Sequence, residues 1–155
     1  TVFILDNTVT AMTGQQPNMG SDFGPNKVSK VDIEAVVRAI GVKNVLIMNA
    51  FDPKPNIDSI KQLISLPGVK VAISHGPCAL YNDRKKRAAK VPIIPNKVSS
   101  EVCKTIYACV RDFYCPAIDL NMETRQSEIA LDICNGGMVC AKLCPITAIS
   151  STGGI

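Results

Sequence analysis

Apolar residues fall in short blocks, and the spacing within the blocks switches between two periods. Val2 to Leu5, Val45 to Met48 and Val69 to Ser74 are short, almost continuous runs of the kind seen in strands buried on both faces. Between them, Ile33, Val36, Val37 and Ile40 recur at helical spacing. The segment Ser29-Lys30-Val31-Asp32 opens this helix as a variant capping box, and Gly41 closes it. Ile57, Ile60, Leu63 and Ile64 form a second stripe, with Asn56 as its cap and Pro67-Gly68 as its stop.

Strand, helix, strand, helix, strand is the pattern of an α/β unit with a parallel sheet. Ligands of such sheets bind beyond the carboxyl ends of the strands, where the long polar loop from Asp6 to Lys27 would lie. Three strands make a narrow sheet, so this unit is expected to lie against another polypeptide or a further part of its own. From Tyr81 to Ser100 the periodicity is lost, and two prolines interrupt Val91-Pro92-Ile93-Ile94-Pro95. The expected organisation is an α/β unit over 1–80, a linker over 81–100 and a small cysteine-bearing α+β domain over 101–155.

Composition narrows the classes. A chain of 155 residues holds one full core, or two small ones if a metal or cluster staples the second. Hydrophobic residues at 46% and charged residues at 19% fit a soluble globular protein, and no apolar run approaches the roughly 18 residues of a membrane span. No membrane partner and a cytoplasmic location are expected. The start, Thr1-Val2-Phe3-Ile4-Leu5-Asp6, has no initiator Met or basic region and reads as the middle of a strand, not a secretory signal. The net charge of +4 owes much to one run, Asp83 to Lys90. Read plainly it is a solvated linker, and read functionally it attracts an acidic protein or a phosphate-bearing cofactor. Without interleaved aromatics or a recognition motif, it does not read as a nucleic-acid site.

Six of the seven cysteines lie between Cys103 and Cys144, and they repeat. The interval from Cys103 to Cys134 equals that from Cys109 to Cys140. Each half ends in Cys-Pro before small apolar residues, at Cys115-Pro116-Ala117-Ile118 and Cys144-Pro145-Ile146. The arrangement resembles a two-cluster ferredoxin run, C-x2-C-x2-C-x3-C-P, in which the fourth cysteine of each half ligates the other cluster. It departs from that run twice: Ile106 and Gly137 stand where each second cysteine belongs, and Cys115 comes two residues late. Crossing the fourth cysteines gives Cys103, Cys109 and Cys144 for one cluster and Cys115, Cys134 and Cys140 for the other. Three thiolates suit a 3Fe-4S cluster, or a 4Fe-4S cluster whose fourth iron takes another ligand. The alternatives are zinc, disulfides, or a degenerate domain without clusters. Zinc needs four ligands and His75 is the one histidine; disulfides do not suit a cytoplasmic protein. Cys78, outside the repeat, reads as a buried structural thiol. His75 is given no role.

With LDNTVTAMTGQQP at residues 5–17, VVRAIGVKNV, Gly76-Pro77-Cys78 and the doubled cysteine repeat, the chain resembles the C-terminal part of the large (alpha) subunit of indolepyruvate ferredoxin oxidoreductase, a thiamine-diphosphate-dependent 2-oxoacid:ferredoxin oxidoreductase. The resemblance runs through nearly the whole chain. It implies a partial thiamine-diphosphate-binding domain followed by a ferredoxin-like domain. It also implies oxidative decarboxylation of an aryl pyruvate, with coenzyme A as acyl acceptor and ferredoxin as electron acceptor. The Asn7 side chain and the Val9 carbonyl would be two magnesium ligands; Thr10, Ala11 and Met12 would contact the cofactor, and Met12 and Thr13 would lie at its reacting carbon. The family's Gly-Asp-Gly magnesium signature does not occur, so the chain is expected to be part of a longer subunit, inactive alone, with the remainder of that subunit and a smaller gamma/beta-type subunit as partners. A rival reading is an electron-transfer protein without thiamine chemistry of its own.

Overall fold

A computed structural model describes residues 1–21 and 30–153. The described chain is mixed α/β, with one parallel and two antiparallel sheets, and it divides into two compact units, Thr1–Asn82 and Asp83–Ile155.

In the first unit, β1 (Val2–Asp6), β2 (Asn44–Asn49) and β3 (Lys70–His75) form a parallel sheet in the order β1-β3-β2. The last strand is therefore the central one, and both Asp6 and Asn49 stand opposite His75 at the carboxyl ends. Helix α1 (Ile33–Ala39) is capped by Asp32, whose carboxylate accepts the Ala35 N–H at 3.0 Å. Gly41, at φ 93°, donates to the Arg38 carbonyl and ends it. The core is Val37, Val71 and Ile73, flanked by Ile4, Ile33, Val42 and Val45. Each such side chain, once buried, contributes about 1.5–3 kcal/mol against leaving it in water.

Three expectations need correction here. β1 and β2 are both edge strands, with Val2, Phe3, Leu5 and Ile47 exposed, Leu5 at 75%, and neither is buried on both faces within this chain. Asn56 does not cap α2 (Pro53–Ser65), which starts at Asp52: Pro53 pre-sets the first turn, and Asn56 lies inside it, donating to the Asn49 carbonyl at 2.7 Å. Cys78 is only half-buried. Of the predicted α1 capping segment and the 6–27 loop, Ser29 and residues 22–27 lie outside the described residues.

The stretch from Tyr81 to Ser100 is not patternless. It holds most of α3 (Ala79–Ala88), anchored by buried Tyr81, and then β4 (Asn96–Val98). The second unit continues with α4 (Ala108–Arg111), β5 (Ile118–Leu120), β6 (Ser127–Ile129), α5 (Val139–Leu143) and β7 (Ile149–Ser151). Its elements obey the cysteine repeat: Ser127 follows Asn96, and Ile149 follows Ile118, by the interval that separates Cys103 from Cys134. Each strand buries its first residue and exposes its second. Strands exchange between halves: β4 pairs with β7 and β5 with β6, both antiparallel. The two residues by which Cys115 is late are recovered immediately after Pro116, so register is kept into β5.

Candidate functional site

The core of the second unit is built on thiols. Cys109, Cys140 and Cys144 are buried with Ile118, Ala148 and Ile149, and Cys103 and Cys115 pack against them. All seven cysteines are free.

The strand exchange brings the end of each half to the start of the other. Cys144 lines one recess together with Cys103 and Cys109, closed by Val98, Ile146 and Ile149. Ile106, the residue at the vacant position of the repeat, lines the same recess. Around Cys140 the neighbours are Cys115 and Cys134. Burial pushes the Cys140 thiol above its ordinary pKa, hydrogen bonds from Asn96 and Ala141 offset part of this, and the two nearby thiols add to it.

Donors point at the sulfurs. The Asn96 N–H reaches Cys134 Sγ at 3.3 Å, its Nδ2 reaches Cys140 Sγ at 3.6 Å, and the Ala148 N–H reaches Cys144 Sγ at 3.3 Å. Ser127 Oγ lies 3.3 Å from Cys109 Sγ. Donors directed at sulfur stabilise negative charge there, as thiolates and clusters require. No group of three or more His, Cys, Asp or Glu among the described residues is gathered tightly enough for a single metal ion. Zinc would draw its sulfurs to within ~4 Å of one another. Thiolates are the ligands iron-sulfur clusters take, so the chemistry of this donor set suits that group, with Cys103, Cys109 and Cys144 lining one recess together.

Sequence reasoning missed Asn96 and Ser127. Each stands seven residues before the first cysteine of its half, and the repeat interval relates them, so the signal was present.

In the first unit, His75 Nδ1 is 2.7 Å from Asp6 Oδ2, and Asp6 Oδ1 accepts the Thr8 N–H at 3.1 Å. This pair lies in an open recess with Lys30, Asp32 and Glu34 at the carboxyl ends of the strands. Val9 is fully buried, while the Asn7 carbonyl accepts the Cys78 N–H at 3.1 Å. Thr10 bridges to Gln16, Thr13 Oγ1 donates to Gln16 Oε1 at 2.7 Å, and Met12 is 97% exposed. The Asn7 amide makes no hydrogen bond among the described residues. An amide oxygen and a carbonyl are ligands of the hard type magnesium takes, in a coordination shell of six.

No protein-family profile matches the chain. Among curated proteins, it is similar to indolepyruvate oxidoreductase subunit IorA of Thermococcus kodakarensis, 35% identical over 150 residues, and of Archaeoglobus fulgidus, 38% identical over 149. The protein of the same name from Methanothermobacter thermautotrophicus is 35% identical over 154 residues. These alignments cover 95%, 94% and 97% of the chain but 23% of each relative, so the chain spans about a quarter of the length of the relatives it matches. The resemblance read from the sequence is borne out.

Proposed function

We propose that this chain, related over nearly its whole length to part of subunit IorA, is the electron-transfer end of an oxidoreductase of the indolepyruvate ferredoxin oxidoreductase kind. The observation that carries the reading is the recess lined jointly by Cys103, Cys109 and Cys144, because a crossed fourth cysteine is what a paired-cluster module needs. Cys103, Cys109 and Cys144 would hold one cluster, and Cys115, Cys134 and Cys140 the other, in a ferredoxin-like domain. The clusters, when bound, supply one-electron carriers. The chain's own part is to bury them, aim N–H and O–H donors at the thiolates, and exclude water with Val98, Ile146 and Ile149.

For the complete subunit the reading extends to oxidative decarboxylation of a 2-oxoacid such as indolepyruvate, giving acyl-coenzyme A and passing electrons to ferredoxin. Thiamine diphosphate with magnesium would supply the carbanion stabilisation. Here Asn7 and Val9 would hold the magnesium, and Thr10 to Thr13 would border the cofactor. The remainder of the subunit and a smaller partner subunit would complete the site and cover β1. Asn7→Ala in the complete enzyme should weaken magnesium-dependent thiamine diphosphate binding, and unchanged affinity would remove Asn7 from the site.

The test of the cluster reading is iron and sulfide analysis with electron paramagnetic resonance of anaerobically purified, oxidised protein. Three-iron signals from two sites per chain support three-thiolate clusters. Protein devoid of iron and sulfide would leave only a degenerate, structural domain.

A further inference from the structure

We propose that Asn96 and Ser127 are positioning residues that each set the reduction potential of the cluster built on the opposite half of the repeat. The inference rests on the reading of the two thiolate sets as cluster sites and goes beyond it by assigning their control.

Asn96 opens β4, ahead of the first cysteine group, yet both its donors face cysteines of the second half: its N–H faces Cys134 and its Nδ2 faces Cys140. Ser127 opens β6, ahead of the second group, yet its hydroxyl faces Cys109 of the first. The two residues are 1% and 3% exposed and occupy equivalent positions in the two halves, one repeat interval apart. The pairing of β4 with β7 and of β5 with β6 is what carries each across.

The amide orientation is informative. Asn96 Oδ1 is buried without a partner among the described residues, while Nδ2 points at sulfur. A side chain placed for packing alone gains nothing from an orphaned carbonyl in a dry core. Turned this way, the amide gives its donor to a group that cannot donate in return, as a thiolate cannot. Ser127 is read likewise: once Cys109 is a thiolate, the hydroxyl is the partner that carries the proton.

Reduction adds one electron to a cluster, with no bond made or broken, and increases negative charge on its sulfurs. Donors fixed on those sulfurs stabilise the reduced form more than the oxidised one and raise the potential. Removing a donor should therefore lower it.

The test is a potentiometric titration followed by electron paramagnetic resonance on the complete protein prepared anaerobically, with dithionite as electron donor. Two backgrounds separate the clusters: Cys109→Ala leaves the one on Cys115, Cys134 and Cys140, and Cys140→Ala leaves the one on Cys103, Cys109 and Cys144. Asn96→Leu should shift the first by about tenfold in its oxidised-to-reduced ratio, about 59 mV more negative for one electron, and leave the second unchanged. Ser127→Ala should do the reverse. Asn96→Ser, which supplies the donor its counterpart uses, should restore much of the potential. Should Asn96→Leu fail to load clusters, Asn96→Ala, which also removes the side-chain donor without adding charge, carries the same test. Unchanged potentials, or shifts in the cluster of the residue's own half, would overturn the inference while leaving the cluster sites standing. Absence of any cluster signal in the unsubstituted protein would instead remove the reading beneath it.

Discussion

Tyr107 and Met138, equivalent residues of the two halves, share one left-handed backbone conformation: φ 61°, ψ 12° at the first and φ 60°, ψ 0° at the second, each immediately before a short helix. Thr105 and Gly136 repeat the match two residues earlier, at φ 57° and φ 70°. A chain turn this costly for residues with a Cβ is kept in both halves, immediately before the helices that carry the buried Cys109 and Cys140.

Met138→Asn should leave stability within about 0.5 kcal/mol, because Asn tolerates the left-handed region. Met138→Val should lose about 1–2 kcal/mol through its branched Cβ. Urea unfolding of the two variants, measured side by side, checks the order. Equal stabilities would mean that the conformation relaxes.

Gly136 has no room for a side chain such as Thr105 carries at the equivalent turn. A Cβ at Gly136 would stand 2.2 Å from the Ile94 carbonyl oxygen, a backbone atom that must move for it, whereas the first half holds a threonine at the equivalent turn. Gly136→Ala should cost about 2 kcal/mol or more. Because Ile94 lies two residues before Asn96, the damage should appear first at the Cys134 and Cys140 site. Iron content per chain and the urea midpoint together read both effects.

Cys140 gives a pH dependence with a definite sign. Burial first, then the neighbouring thiols, favour its protonated form in the cluster-free fold, while the unfolded chain ionises at the ordinary thiol value. The stabilisation is complete below that value, about pH 8.5, and falls as pH rises through the raised one. The urea midpoint of cluster-free protein should therefore drop from about pH 8 to about pH 10, and Cys140→Ser should flatten the drop. A steeper decline in Cys140→Ser would contradict the assignment.

How much of this was legible depends on the length of the signal. The runs at 45–48 and 69–74 read as strands and are strands, and Ile33 to Ile40 reads as a helix that forms at Ile33–Ala39. Burial on both faces of β1 did not follow from its composition, since neighbours decide burial and β1 is an edge here. Helix α3 was hidden because its charged run offers no apolar stripe and Tyr81 alone is buried. Strands of three residues are too short for alternation to register, so β4 to β7 became visible only through the cysteine interval. That interval located the thiols. The same interval relates Asn96 to Ser127, but which half each one serves needed the strand exchange, which sequence spacing does not contain.

The central claim is the crossing of the fourth cysteines, and iron content of paired variants tests it directly. If Cys103 and Cys144 serve one cluster, Cys103→Ala with Cys144→Ala should keep the iron of the other cluster, and Cys103→Ala with Cys115→Ala should lose both. The recess lined by Cys103, Cys109 and Cys144 is the ground for expecting that order. Retention of iron in the Cys103→Ala, Cys115→Ala protein with its loss in the Cys103→Ala, Cys144→Ala protein would contradict it, and would assign each cluster to a single half.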